Sequence, residues 1–159
     1  MAAVDLFLAI DGIEGESADA KHKGAIHLDS FSWGEASPAT QAGGAGGGPG
    51  KVQIQDLHVA MRLSKASPQL LLACATGQHI KQAVLTGRKA GATQFDFLVV
   101  KLTDVLVSSY QTGAAGDGLS DHVSLSFDRI EVEYHPQRPD GSLDAPVKVG
   151  WDVKANRKV

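Results

Sequence analysis

The chain has 159 residues and a mass of 16.6 kDa, the size of one domain, and its 43% apolar residues are enough for a hydrophobic core. A formal net charge of −3 and a pI near 6.0 argue against nucleic acid as the main partner, because phosphate recognition calls for a basic excess or stripe. No apolar run is long enough to span a membrane, and the single Cys74 cannot close an internal disulfide.

The amino terminus has no basic segment and carries Asp5 inside its apolar stretch, so it does not read as a signal peptide. With one cysteine, this places folding in the reducing cytoplasm. Val4, Leu6, Leu8 and Ile10 alternate with Asp5, Phe7 and Ala9, the pattern of a strand with one apolar face. In residues 25–35 the apolar positions change phase between Leu28 and Phe31, which predicts a bulge or bend. Residues 51–63 read as one strand whose two faces are both mixed.

One helix is expected. Ser67 is its predicted N-cap, Pro68 fits the first helical position and Gly77 ends it. It is too short to stand without packing, and Leu71, Cys74 and Ala75 are the residues expected to dock. Strands follow over 79–89, 94–111, 119–134 and 147–153. The second is almost continuously apolar at Phe97–Val100. In the third, Val123, Leu125 and Phe127 share one phase while Ile130, Val132 and Tyr134 take the other. Such a slip marks a bulge or a strand that changes sheets. Many strands and one short helix predict a mainly β fold, a single-domain barrel or sandwich.

The most unusual segment is 37–51. Six of the eight residues from Gly43 to Gly50 are glycine, in a chain with 18 glycines altogether. So little side chain cannot pack on itself, and ordering it is entropically costly. Fully extended, it would reach roughly 20–25 Å out and back, far enough to touch a neighbouring subunit. A phosphate-loop reading fails on spacing, since Ala45 stands where the first glycine is needed and Val52 where Ser or Thr would bind magnesium. Cys74 lies among apolar residues, where an inert thiol is the ordinary finding, so pairing it with His79 as nucleophile and base is disfavoured. The histidines at 22, 27, 58, 79, 122 and 135 show no metal-ligand spacing. Asp5, Asp56, Asp96, Asp104 and Asp128 fall on separate segments. No catalytic residue, metal or cofactor is expected.

Several segments nevertheless match a known pattern in order and spacing. These are Val4-Asp5-Leu6-Phe7-Leu8-Ala9-Ile10 with Gly15-Glu16-Ser17, Phe31-Ser32-Trp33-Gly34, and the glycine loop closing on Gly50-Lys51-Val52 before Gln55-Asp56-Leu57. Ser67-Pro68 through Ala73-Cys74-Ala75-Thr76-Gly77 continues it, as do Arg88-Lys89-Ala90-Gly91, Val105-Leu106-Val107-Ser108-Ser109 and Tyr134-His135-Pro136-Gln137. Over residues 4 to about 153 the chain resembles the Hcp (haemolysin-coregulated protein) family of type VI secretion tube proteins.

The resemblance implies a β-barrel of two sheets with one flanking helix. It also implies hexameric rings stacked into the inner tube of a contractile injection machine, with sheath, spike and baseplate proteins as partners and no nucleic acid or membrane. Such a subunit would be cytoplasmic before assembly, then secreted, and its lumen would hold small effector proteins. Ser32 takes the position that faces the channel in the family. Ala42, Gly43, Gly44, Gly46, Gly47, Gly48, Gly50 and Lys51 form the expected ring-stacking loop. Some relatives carry a toxin domain at the carboxyl terminus, and none is expected past the last strand here. The alternatives are a phage tail tube protein, which shares the ring logic, and a small β-barrel hydrolase, for which no convergent site is visible.

Overall fold

Period-two alternation recurs along the chain, and the strands it encodes pair into a closed sheet. In the computed structural model, residues 4–38, 51–90 and 94–159 are described. Their strands are β1 (Val4–Ile10), β2 (Ile26–Ser32), β3 (Glu35–Ala36), β4 (Gln53–Ile54), β5 (Leu57–Arg62), β6 (Ile80–Lys89), β7 (Phe95–Ala115), β8 (Gly118–Tyr134), β9 (Val147–Asp152) and β10 (Arg157–Lys158). One helix, α1 (Ser67–Thr76), lies between β5 and β6.

The main sheet runs β10-β9-β8-β5-β2-β1-β6-β7, and β7 pairs back onto β8. Six strands thus close a barrel, with β9 and β10 as an extension and β3-β4 as a separate ribbon. Closure removes the sheet edges that would otherwise invite aggregation. Among the described residues no helix is long and apolar enough to cross a membrane.

The predicted irregularities have structural causes. The pairing of β2 with β5 steps from Leu28↔Met61 to Ser30↔Ala60, which makes Asp29 the bulged residue. The phase slip in β8 falls at Asp128, between the buried Phe127 and Ile130. There β8 exchanges partners: residues 120–125 pair with β5, and residues 129–134 pair with β9. A matching slip sits across the barrel seam in β7, where Asp104 has φ +56° between the buried Leu102 and Val105. Because both strands slip at the same level, Thr103↔Arg129 and Val105↔Phe127 keep one register.

The barrel encloses a core that includes Leu8, Ile26, Leu57, Met61, Leu85, Leu102, Val123 and Leu125. α1 packs with Ser67, Leu70 and Ala73 inward and Cys74 half-buried. Leu71 and Ala75, expected to dock, are exposed instead. The helix is rotated by an anchor at its first turn, where the Ser67 hydroxyl donates to the buried Asp121 carboxylate at 2.5 Å. That commitment turns positions 67, 70 and 73 to the barrel. Ala66 occupies the N-cap without a side-chain bond, and Ser67 is already helical; Gly77, with φ +65°, ends the helix as expected.

One further expectation needs correction. Residues 51–63 form two strands, because the Gln55 N–H turns aside to donate to the Gly34 carbonyl. The second face of β1 is also covered, since Phe7 is 1% exposed. A strap of residues 11–25 folds over it, stacking His22 on the ring at 4.5 Å between centroids. Arg88 from β6 lies 4.8 Å from the same ring and pairs with Asp19 of the strap at 2.9 Å and Asp5 of β1 at 3.6 Å. The strap is knitted by Ser17 N–H to the Ala25 carbonyl and Gly24 N–H to the Ser17 carbonyl. Gly15 is required there, since a Cβ would lie 2.5 Å from the Ala25 carbonyl oxygen.

Candidate functional site

Alternation along β2, β5, β8 and the distal part of β7 sends one set of side chains inward and the other onto a continuous outer wall. Register aligns that outer set in two rows across the four strands. One row is Ser32, His58, Ser124 and Ser109; the next is Ser30, Ala60, His122 and Gln111. The intervening row, Phe31, Val59, Val123 and Tyr110, points into the barrel and supports the wall from beneath.

The two outer rows line a shallow depression of about 290 Å³. The two rows present four serines, two histidines, a glutamine and an alanine, with no Asp, Glu, Lys or Arg among the lining residues. Charge appears only beyond the rows: Asp56, accepting a 2.6 Å bond from Ser108, on one side, and Arg62, 4.0 Å from Asp29, on the other. Ser32 is exposed within the first row. The surface can therefore make many weak hydrogen bonds to a passing polypeptide without a fixed charge to trap it.

A 2.6 Å hydrogen bond joins His58 Nδ1 to Ser124 Oγ. A serine nucleophile activated by histidine needs a third group to orient the imidazole. Among the described residues, no hydrogen bond or ion pair links His58 to a carboxylate, and Asp56, two residues before it, accepts from Ser108. The pair serves to hold the wall together across β5 and β8.

The other residues considered for chemistry are dispersed. His79 pairs with Asp104 at 3.2 Å on the surface, while Cys74 packs against the core. His22 pairs with Asp96 at 3.2 Å, and His135 with Glu133 at 3.3 Å. Among the described residues no three metal-ligating side chains gather. Lys51 is exposed and leads into the strand β4, so no helix N-terminus follows the glycine loop. Ala42, Gly43, Gly44, Gly46, Gly47, Gly48 and Gly50 lie outside the described residues. Sequence reasoning picked Ser32 from the wall and missed the rest, because the rows exist only through cross-strand register.

Comparison with known proteins points in one direction. Residues 7–134 match the family model described as type VI secretion system effector, Hcp. The chain is 43% identical to protein hcp1 of Pseudomonas aeruginosa over 158 residues, covering 97% of this chain and 98% of that one. Among solved structures it resembles Hcp1 from Salmonella typhimurium, at 33% identity and a TM-score of 0.80 with both chains fully covered. It also resembles a structure described as a type six secretion system protein, at 31% identity and a TM-score of 0.92, covering 99% of this chain and all of the other.

Proposed function

The chain belongs to the Hcp family of type VI secretion proteins, and on that premise we propose that it is the structural subunit of a secretion tube. Six copies close head to tail into a ring, rings stack into a tube, and the four-strand polar wall lines the lumen. The observation that carries this reading is the wall itself: a mostly polar surface without Asp, Glu, Lys or Arg suits a channel through which passengers must slide. The ring assembles with sheath, spike and baseplate proteins, is expelled through the apparatus, and carries small effector proteins inside. A cyclic ring requires two different patches on each subunit, one meeting the other on its neighbour.

Negative-stain electron microscopy of the purified chain tests the core of this reading; six-fold rings are expected, and a uniform monomer would overturn it. Two variants test its parts. Removing residues 42–48 is expected to leave hexamers intact by light scattering while abolishing tubes, and persistent tubes would show that the loop does not stack rings. Ser32→Gln, which projects a longer side chain from the β2 side of the wall, is expected to lower effector retention in pull-downs with rings preserved. Unchanged retention would remove Ser32 from the passenger contact.

A further inference from the structure

The chain has six histidines, and four of them are engaged outside the two rows of the wall. His22 and His27 lie against the Phe7 ring, at 4.5 and 4.9 Å between centroids, and His22 also pairs with Asp96. His79 and His135 each pair with a carboxylate, that of Asp104 and that of Glu133. The remaining two, His58 on β5 and His122 on β8, are exposed on the wall and line the same depression. Among the described residues, His122 makes no side-chain hydrogen bond or ion pair, and His58 makes one, to Ser124.

Register makes these two residues neighbours. His58 faces Ser124 and Ala60 faces His122, so both imidazoles stand on one face, diagonal across adjacent strands. Such positions lie roughly 7–8 Å apart at the backbone, within reach of long or aromatic side chains that converge. Two neutral imidazoles converging on one point chelate a borderline divalent ion such as Zn²⁺, Cu²⁺ or Ni²⁺. A ligating histidine is normally held by a partner on its other ring nitrogen. The 2.6 Å contact with Ser124 engages His58 Nδ1 in this way and leaves Nε2 free. With Nδ1–H donating to Ser124 Oγ, Nε2 carries the lone pair that a metal needs. Ser32 stands beside His58 in register and Gln111 beside His122, so oxygen donors flank both rings. No Lys or Arg lines the depression, so no fixed positive charge opposes a cation there.

We propose that His58 and His122 form a two-histidine site for a divalent transition-metal ion on the polar wall. Water fills the rest of the coordination shell. An ion held by two protein ligands can take a third from outside, such as a histidine or cysteine of a polypeptide lying along the wall. The sequence shows no metal-ligand spacing because the two ligands meet only through the pairing of β5 with β8. One chain supplies both ligands, so the site does not depend on the ring reading.

Isothermal titration of the untagged chain with zinc chloride at neutral pH is expected to show an ion bound through this pair. His58→Gln and His122→Gln alter exposed side chains, so each variant is expected to fold with an unchanged circular dichroism spectrum. Each is expected to weaken that binding at least about tenfold, since a chelate loses its second, effectively intramolecular bond. The double variant is expected to bind only about twofold more weakly than either single one, because the two ligands act as a unit. His79→Gln, at a surface pair elsewhere, is expected to leave the affinity unchanged. No zinc bound, or an affinity unchanged by either wall variant, would overturn the site. Losses that simply add would overturn it too, since they mean separate ions on separate rings. A chain that forms no rings yet binds zinc through both histidines would uphold the site while removing the ring reading.

Discussion

Asp121→Ala is expected to lower the stability of the subunit by about 3 kcal/mol, or roughly 6–12 °C in Tm. Asp121 is wholly buried on β8. It accepts the Ser67 hydroxyl at 2.5 Å and the Tyr110 hydroxyl at 3.2 Å, joining the first turn of α1 to β8 and β7. Alanine would leave both hydroxyls without their acceptor inside the protein and open a void. Asp121→Asn retains a carbonyl acceptor and is expected to cost about half as much. Burial, and then the neighbouring carboxylate, push the Tyr110 phenol above its ordinary value. In Asp121→Ala that phenol is expected to titrate lower, readable by ultraviolet absorbance. Equal denaturation midpoints for the alanine and asparagine variants would show that the hydrogen bonds do not hold the helix.

Arg88→Ala is expected to cost about 2–3 kcal/mol and to release the strap over Phe7. The side chain is 5% exposed and bridges Asp19 and Asp5 while lying over the Phe7 ring. Both carboxylates keep some contact with solvent, which holds the cost below that of a fully buried pair. The Arg88 hydrogen bond, with help from the Lys21 and His22 amides, draws the Asp19 carboxyl down to about 2. A group whose pKa is lowered by folding stabilises the fold above its ordinary value of 3.8, and that contribution disappears as the pH falls through about 2. Denaturant midpoints of the wild type should therefore drop between pH 4 and pH 2, and those of Arg88→Ala should drop less over the same window. Parallel acid limbs would mean that Asp19 is not coupled to Arg88. Amide exchange over residues 11–25 gives an independent readout, since faster exchange in the variant is expected only if the guanidinium secures the strap.

These two networks share a feature that bears on how the fold is encoded. Each joins residues far apart in the chain: Ser67 to Asp121, and Asp19 to Arg88. No local pattern announces such pairs, so the inward face of α1 was misjudged from periodicity and the cover over Phe7 was not foreseen. The helix reading favoured Leu71 and Ala75 because spacing alone leaves the rotation of a short, wholly apolar helix undefined. The strap over β1 was invisible for the same reason, since an aromatic on the polar phase of a strand reads as exposed until another segment covers it.

By itself, the sequence determined where the long strands of the main sheet lie, where α1 stops, that β2 bulges near Asp29 and that β8 changes phase near Asp128. These are local matters, governed by side-chain alternation, glycine at positive φ and the φ of proline, and a window of ten residues contains them. Only the tertiary structure decided that the β8 slip marks its exchange of β5 for β9, and that Asp104 makes the compensating slip in β7. It alone aligned Ser32 with His58, Ser124 and Ser109 into a wall. The reason is that register is a relation between strands: hydrogen bonds between residues dozens of positions apart decide which outward side chains become neighbours.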